Sequence, residues 1–135
     1  MLGDSMSESD VVDVDDKTWE PVVEKSRKPV VVMFSSPTCP HCRTIEPYFS
    51  DYATEFKDKV VFAKLNVVKN QYTPSRYGVM GTPTFKFFCK GKPVKELVGA
   101  VYPPLVKKTV EDTLEHGDEC VTKSTEIDYS ISGYT

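Results

Sequence analysis

The chain has 135 residues, 39% hydrophobic and 27% charged, with a formal net charge of −3. That is room for one domain of ordinary globular composition. No apolar run approaches the ~18 residues of a membrane-spanning helix, so a helical membrane protein is excluded. The charge is uneven: residues 1–16 carry six acids (Asp4, Glu8, Asp10, Asp13, Asp15, Asp16) and no Lys or Arg, and residues 115–135 are also net acidic, which leaves a basic body. Such an N-terminus lacks the positive start and apolar stretch of a secretory signal, so the expected location is cytoplasmic. The basic body is read as a solvated lysine-rich surface. Lys57, Lys59, Lys64, Lys69, Lys86, Lys90, Lys92 and Lys95 are scattered, without a stripe or an aromatic–basic sheet signature. Neither nucleic acid nor a membrane is an expected partner.

Residues 1–10 hold too few apolar groups to order themselves and are expected to form an acidic disordered tail. Val11–Val14 reads as a short edge strand. Asp16 is the expected N-cap of a helix over Lys17–Ser26, with Trp19, Val22 and Val23 inward and Pro21 tolerated in its first turn. Val30–Phe34 is a continuous apolar run, the pattern of a strand buried on both faces. A helix follows over Pro40–Lys57, with Ile45, Phe49, Tyr52, Ala53 and Phe56 at helical spacing and a kink expected at Pro47.

Val60–Leu65 reads as the next strand, and Pro74–Tyr77 as a short helix. Thr84–Cys89 and Val94–Val98 form a hairpin across the turn Lys90-Gly91-Lys92. The last helix runs over Pro104–His116, with Val106, Val110 and Leu114 inward and Gly117 as its stop. The expectation is one domain over 11–117, a polar C-terminal tail over 118–135, and an α/β fold. Its central mixed sheet has four to five strands flanked by about four helices.

Chemistry concentrates in Cys39-Pro40-His41-Cys42, at the handover from the buried strand to a helix. Two cysteines three apart in a first helical turn can close a small disulfide ring. Cys39, near the N-cap, faces unpaired amides and the positive end of the helix dipole, which favour its thiolate. Pro40 suits the first helical position, where its missing N–H costs nothing. A protonated His41 adds nearby positive charge, and thiolate is the nucleophile of disulfide exchange.

From these residues the chain resembles the thioredoxin family over residues 11–116. Phe34 with the cysteine pair matches the strand–active-site unit, and Pro47 the proline of the following helix. Lys64-Leu65-Asn66 and Tyr77-Gly78-Val79 follow in register, then Gly81-Thr82-Pro83-Thr84, and finally Gly91 and Gly99. The resemblance implies the thioredoxin fold, with a cis Pro83 packed beside the cysteines and Thr82 pairing main-chain to main-chain with substrate. It also implies a two-step dithiol–disulfide exchange in which Cys39 attacks a protein disulfide and Cys42 resolves the mixed disulfide. Expected partners are protein disulfide substrates and a thioredoxin-reductase-type electron donor. No cofactor is expected, and the chain is expected to be a monomer.

Departures from the family pattern shape the finer expectation. Thr38 stands where a tryptophan usually precedes the first cysteine, and Ser35 where an aromatic is usual. Pro40-His41 replaces Gly-Pro and resembles the strongly oxidising periplasmic protein DsbA. Met33 replaces the buried aspartate that usually helps deprotonate the second cysteine, so Lys64 loses its partner and is expected to point to solvent. A stabilised Cys39 thiolate favours the reduced form, so the expected potential lies between thioredoxin at ~−270 mV and DsbA at ~−120 mV.

Three other readings stand beside this one. A disulfide oxidant or isomerase is favoured by Pro40-His41, and a non-catalytic thioredoxin-fold binding module would use Thr82-Pro83 alone. A glutaredoxin-like, glutathione-using protein is disfavoured because Gly99-Ala100 stands where Gly-Gly and an acid are usual. No metal site is expected, because Cys89, Cys120, His41 and His116 supply neither a second CxxC nor an H-x₃₋₅-H. Cys89 is expected to be a structural thiol and Cys120 an incidental free one.

Overall fold

The computed structural model describes residues 10–115. Residues 1–9 of the expected N-terminal tail, the whole expected C-terminal tail, and with it Cys120, His116 and Gly117, lie outside the described residues; Asp10, the last residue of the expected N-terminal tail, accepts the Thr54 hydroxyl at 2.8 Å.

Val30–Phe34 contains no polar side chain, and β2 (Val30–Ser35) is buried along its whole length. It forms the third of five strands. In order across the sheet these are β1 (Val11–Val14), β3 (Val61–Asn66), β2, β4 (Thr84–Cys89) and β5 (Lys92–Val98). β1 and β2 both pair parallel with β3, whereas β4 runs antiparallel to β2 and to β5. The sheet is therefore mixed, and four helical segments flank it: α1 (Glu20–Glu24), α2 (Pro40–Glu55), α3 (Tyr72–Arg76) and α4 (Pro103–Glu115).

Strand alternation sorts the core into two layers. Val31 and Met33 of β2, Phe62 of β3, and Phe85 and Phe87 of β4 pack with Ile45, Phe49 and Ala53 of α2 and Val106 and Val110 of α4. Val30, Val32 and Phe34, with Ala63, Leu65 and Phe88, face the other way onto Trp19 and Val23. Trp19 touches Phe34, Tyr77 and Phe88 at ring-centroid distances of 5.9, 5.4 and 5.4 Å, and its indole N–H donates to the Tyr77 hydroxyl at 3.2 Å.

The expected helix over Lys17–Ser26 shrinks to a π-helical turn at Glu20–Glu24. Competing hydrogen bonds explain the difference. The Asp15 carboxylate accepts the amides of Lys17 and Thr18 at 2.9 and 2.8 Å, closing a turn before the helix, while the Asp16 carboxylate accepts the Thr73 amide at 3.0 Å, far along the chain. Asp residues make such local bonds readily. The short helix α3 begins two residues earlier than its expected start at Pro74. Lys86 departs from the solvated-lysine reading: it is 7% exposed on β4 and donates to Glu96, its cross-strand neighbour on β5, at 2.8 Å. In the β4–β5 turn, Gly91 has φ +84°, and a Cβ there would sit 2.6 Å from the Glu24 carbonyl oxygen.

Candidate active site

β2 ends at Ser35, and four residues later Cys39 caps α2. The cap is built from the backbone. Cys39 has extended φ/ψ of −88° and 114°, the Cys42 amide donates to its sulfur at 3.2 Å, and the Arg43 amide donates to its carbonyl at 3.2 Å. A sulfur here takes the place of the Ser or Asp oxygen that usually caps a helix. Pro40 occupies the first helical position, which needs no N–H. Cys39 is half-buried, and Cys42, three residues on, has turned inward to 4% exposure; both are free thiols.

This placement separates the two thiols chemically. Burial pushes the Cys39 pKa up, but hydrogen bonds outweigh it and hold Cys39 below the ordinary thiol value; they come from the Cys42 and Thr82 side chains and from the amides of Cys42 and His41. Cys42 goes the other way, to about 11, chiefly through burial and its hydrogen bond to Cys39, against the opposing Ser36 amide and Thr82. His41 is exposed, and it reaches Cys39 through its amide. Ser36 carried no signal in the sequence, because its part is played by the backbone.

The Thr82–Pro83 bond is cis, as the resemblance implies. Thr82 is half-buried, hydrogen-bonds with both sulfurs, and leads into buried Pro83. The loop is pinned from both sides: the Gly99 amide donates to the Pro83 carbonyl at 2.8 Å, and the Thr84 hydroxyl donates to the Gly81 carbonyl at 2.7 Å. Cys39, Pro40, His41, Cys42, Thr82 and Pro83 thus gather at one end of the sheet.

The thioredoxin family profile matches residues 10–112. The chain belongs to the thioredoxin family. It is 36% identical over 102 residues to a chloroplastic M-type thioredoxin of Brassica napus, covering 76% of this chain and 58% of that one. It is 39% identical over 88 residues to a thioredoxin of Alicyclobacillus acidocaldarius subsp. acidocaldarius, covering 65% of this chain and 84% of the relative. With the protein disulfide-isomerase A6 of Mus musculus it shares 42% identity over 94 residues, 67% of this chain and 21% of that one. The chain therefore spans little more than half of the Brassica protein and a fifth of the mouse one.

Two side chains of this thioredoxin-family protein differ from expectation. Lys64 does not turn to solvent. It is the register neighbour of Met33, on the face of β3 that meets α2, and its ammonium pairs with the Glu46 carboxylate. Glu46 went unnoticed in the sequence, although it lies one helical turn after Cys42. Cys89 is not a free structural thiol but is disulfide-bonded. It is 1% exposed at the end of β4 remote from Cys39, since Thr84 pairs with Phe34 near the site and Phe88 pairs with Val30 at the far end. Among the described residues, no group of three His, Cys, Asp or Glu side chains is placed to hold a metal ion.

Proposed function

We propose that this chain is a thiol–disulfide oxidoreductase that reduces protein disulfides by dithiol–disulfide exchange through Cys39 and Cys42. The observation that carries the reading is the split between two free thiols joined by a helix cap: one half-exposed and acidified, the other buried with its pKa raised to about 11. The Cys39 thiolate attacks one sulfur of a substrate disulfide; a Cys39–substrate bond forms and the other substrate sulfur leaves as thiolate. Cys42, once deprotonated, attacks Cys39, closes the ring and releases the second substrate sulfur. The substrate gains two electrons and the cysteine pair loses them.

Pro40 and His41 tune Cys39 by fixing the cap, and Thr82 with Pro83 binds the substrate backbone. Exposed Met80, Val98 and Tyr102 flank that loop and supply apolar surface for an extended polypeptide. Protein disulfides are the substrates, and a thioredoxin-reductase-type donor re-reduces the ring. The potential lies above that of typical thioredoxin, because every bond that favours the Cys39 thiolate stabilises the reduced form.

A second reading, net disulfide donation or isomerisation, is favoured by the disulfide at Cys89, since structural disulfides persist in oxidising surroundings. Trapping tests the chemistry common to both. The reduced C42S protein is expected to hold a disulfide-containing substrate protein as a stable mixed disulfide on Cys39, and C39S to hold none. Capture by neither variant would leave only the binding-module reading.

A further inference from the structure

The exchange proposed above requires Cys42 to lose its proton before its sulfur can attack Cys39, and the surroundings of Cys42 resist that loss. Cys42 is 4% exposed, and in the reduced chain its pKa is pushed up to about 11, first of all by burial, which persists when Cys39 is bonded to substrate and keeps the thiolate a minor form at pH 7. A resolving step on that fraction alone would be slow. The strand beneath offers no relief: Met33 of β2 is fully buried and apolar, and Ser35 is not a base at neutral pH.

A cavity of about 240 Å³ opens beside the sulfur, lined by Cys42 together with Glu46 and Lys64. Residues four apart on a helix lie on one face, one turn above the other, so the Glu46 carboxylate and the Cys42 thiol share this space. The cavity has volume for several waters, each needing ~30 Å³. Lys64 reaches across from β3 and pairs with Glu46. Two further charged groups matter to the electrostatics. Arg43, on α2, also lines the cavity, but its guanidinium is engaged by the Pro37 carbonyl at 3.1 Å. Asp13, on β1, lines an adjoining groove with Glu46 and Lys64 but not the Cys42 cavity.

We propose that Glu46 is the proton acceptor for Cys42 in the resolving step, and that Lys64 is the positioning residue that holds its carboxylate at the cavity. The Cys42 S–H proton passes to the Glu46 carboxylate, across cavity water where needed. The Cys42 sulfur then attacks Cys39; the Cys39–Cys42 bond forms, the Cys39–substrate bond breaks, and the electron pair leaves on the substrate sulfur. Glu46, whose side chain is 47% exposed, gives the proton up to solvent or to that leaving thiolate. In the opposite direction protonated Glu46 returns the proton to Cys42 as the ring opens. The inference rests on the oxidoreductase reading.

A charge effect and a proton-acceptor effect have opposite signs at this residue. Glu46→Gln removes a negative charge near Cys42, which by electrostatics alone lowers the Cys42 pKa and speeds resolution. If Glu46 takes the proton, the same change slows it. The test is stopped-flow mixing of the reduced full chain with the aromatic disulfide DTNB, concentrated enough for the first thiolate release, by Cys39, to outrun the second, by Cys42.

E46Q is expected to leave the first release within about twofold and to slow the second by ~10-fold or more at pH 7, the low end of what general acid–base catalysis contributes. The second rate of E46Q should rise tenfold per pH unit from pH 5 to 9, whereas the wild-type profile is flatter. K64M should slow the second release less than E46Q, and D13N should leave it unchanged. Equal or faster second release in E46Q, or an equal slowing in D13N, would overturn the assignment. A different failure marks the underlying reading: wild-type protein that never releases a second thiolate, or C42S protein that releases it as fast, is not performing the exchange at all.

Discussion

Replacing His41 with proline is the sharpest perturbation of the proposed potential. The Cys39 thiolate is favoured by the Cys42 and Thr82 side chains and by the amides of Cys42 and His41. Proline at position 41 deletes one of those amides and the imidazole together, while staying within the first turn, where proline is tolerated. A hydrogen bond to a charged group contributes about 1.5–3 kcal/mol, and the half-exposure of Cys39 argues for the lower end. With ~1.4 kcal/mol per 30 mV, the potential of H41P should fall by roughly 30 mV. The sign follows because losing a thiolate partner destabilises the reduced form. His41→Gln separates the two contributions: it keeps the amide and removes the exposed imidazole, so its potential should fall by less than half as much. Both values come from equilibration in glutathione buffers of graded redox ratio, quenched with a mass tag on free thiols. An H41P potential equal to or above wild type, or an H41Q shift as large as that of H41P, would refute the account.

The lowered Cys39 pKa has its own pH signature. Above that pKa the thiolate is present, so Cys39 alkylation by iodoacetamide should be fast at high pH and be lost as pH falls through a midpoint below the ordinary thiol value of 9.0. Cys42 in the same reduced protein should remain unlabelled until the pH approaches about 11, as read by peptide mass mapping. Equal labelling of the two at pH 7 would contradict the split. Away from the site, Gly91→Ala forces a side chain into φ +84° and against the Glu24 carbonyl, so it should cost ~1–3 kcal/mol in urea denaturation. A change under about 0.5 kcal/mol would mean that the turn relaxes freely.

The sheet was readable because its strands are nearly pure in character. Val30–Phe34 has no polar residue, and the hairpin around Gly91 combines apolar runs with a turn that needs positive φ. The site pair was readable because its logic is local: a strand end, a helix cap and two sulfurs lie within eight residues. What escaped depends on partners distant in sequence. Asp16 looks like a helix cap until Thr73, 57 residues away, offers its amide. Lys64 looks solvent-bound once Met33 removes its usual partner, yet strand alternation had fixed its direction: Phe62 faces α2, so Lys64 does too. Which acid of α2 it meets is set by the fold: Glu46, one turn after Cys42, is the one its ammonium reaches. Cys89 could not be resolved this way, because pairing of cysteines is a property of the folded chain.

The same three-residue spacing that makes a disulfide ring possible also makes the two cysteines unequal. At the helix start, position zero lies among free amides at the half-exposed tip, while position three, on nearly the same face but almost a turn further along, is covered by the core. A dithiol at any other helical position would lack the amides for one sulfur or the burial for the other. The amide of Cys42 is itself the donor to Cys39, so the resolving residue helps to activate the nucleophile it will later attack. Asymmetry has a kinetic cost, since the burial that keeps Cys42 from reacting prematurely also keeps its proton in place. An acceptor that waits at an open cavity, tied to a lysine on the neighbouring strand, removes that cost without exposing the sulfur. On this arrangement the order of attack follows from the backbone, and the speed of release from a single carboxylate.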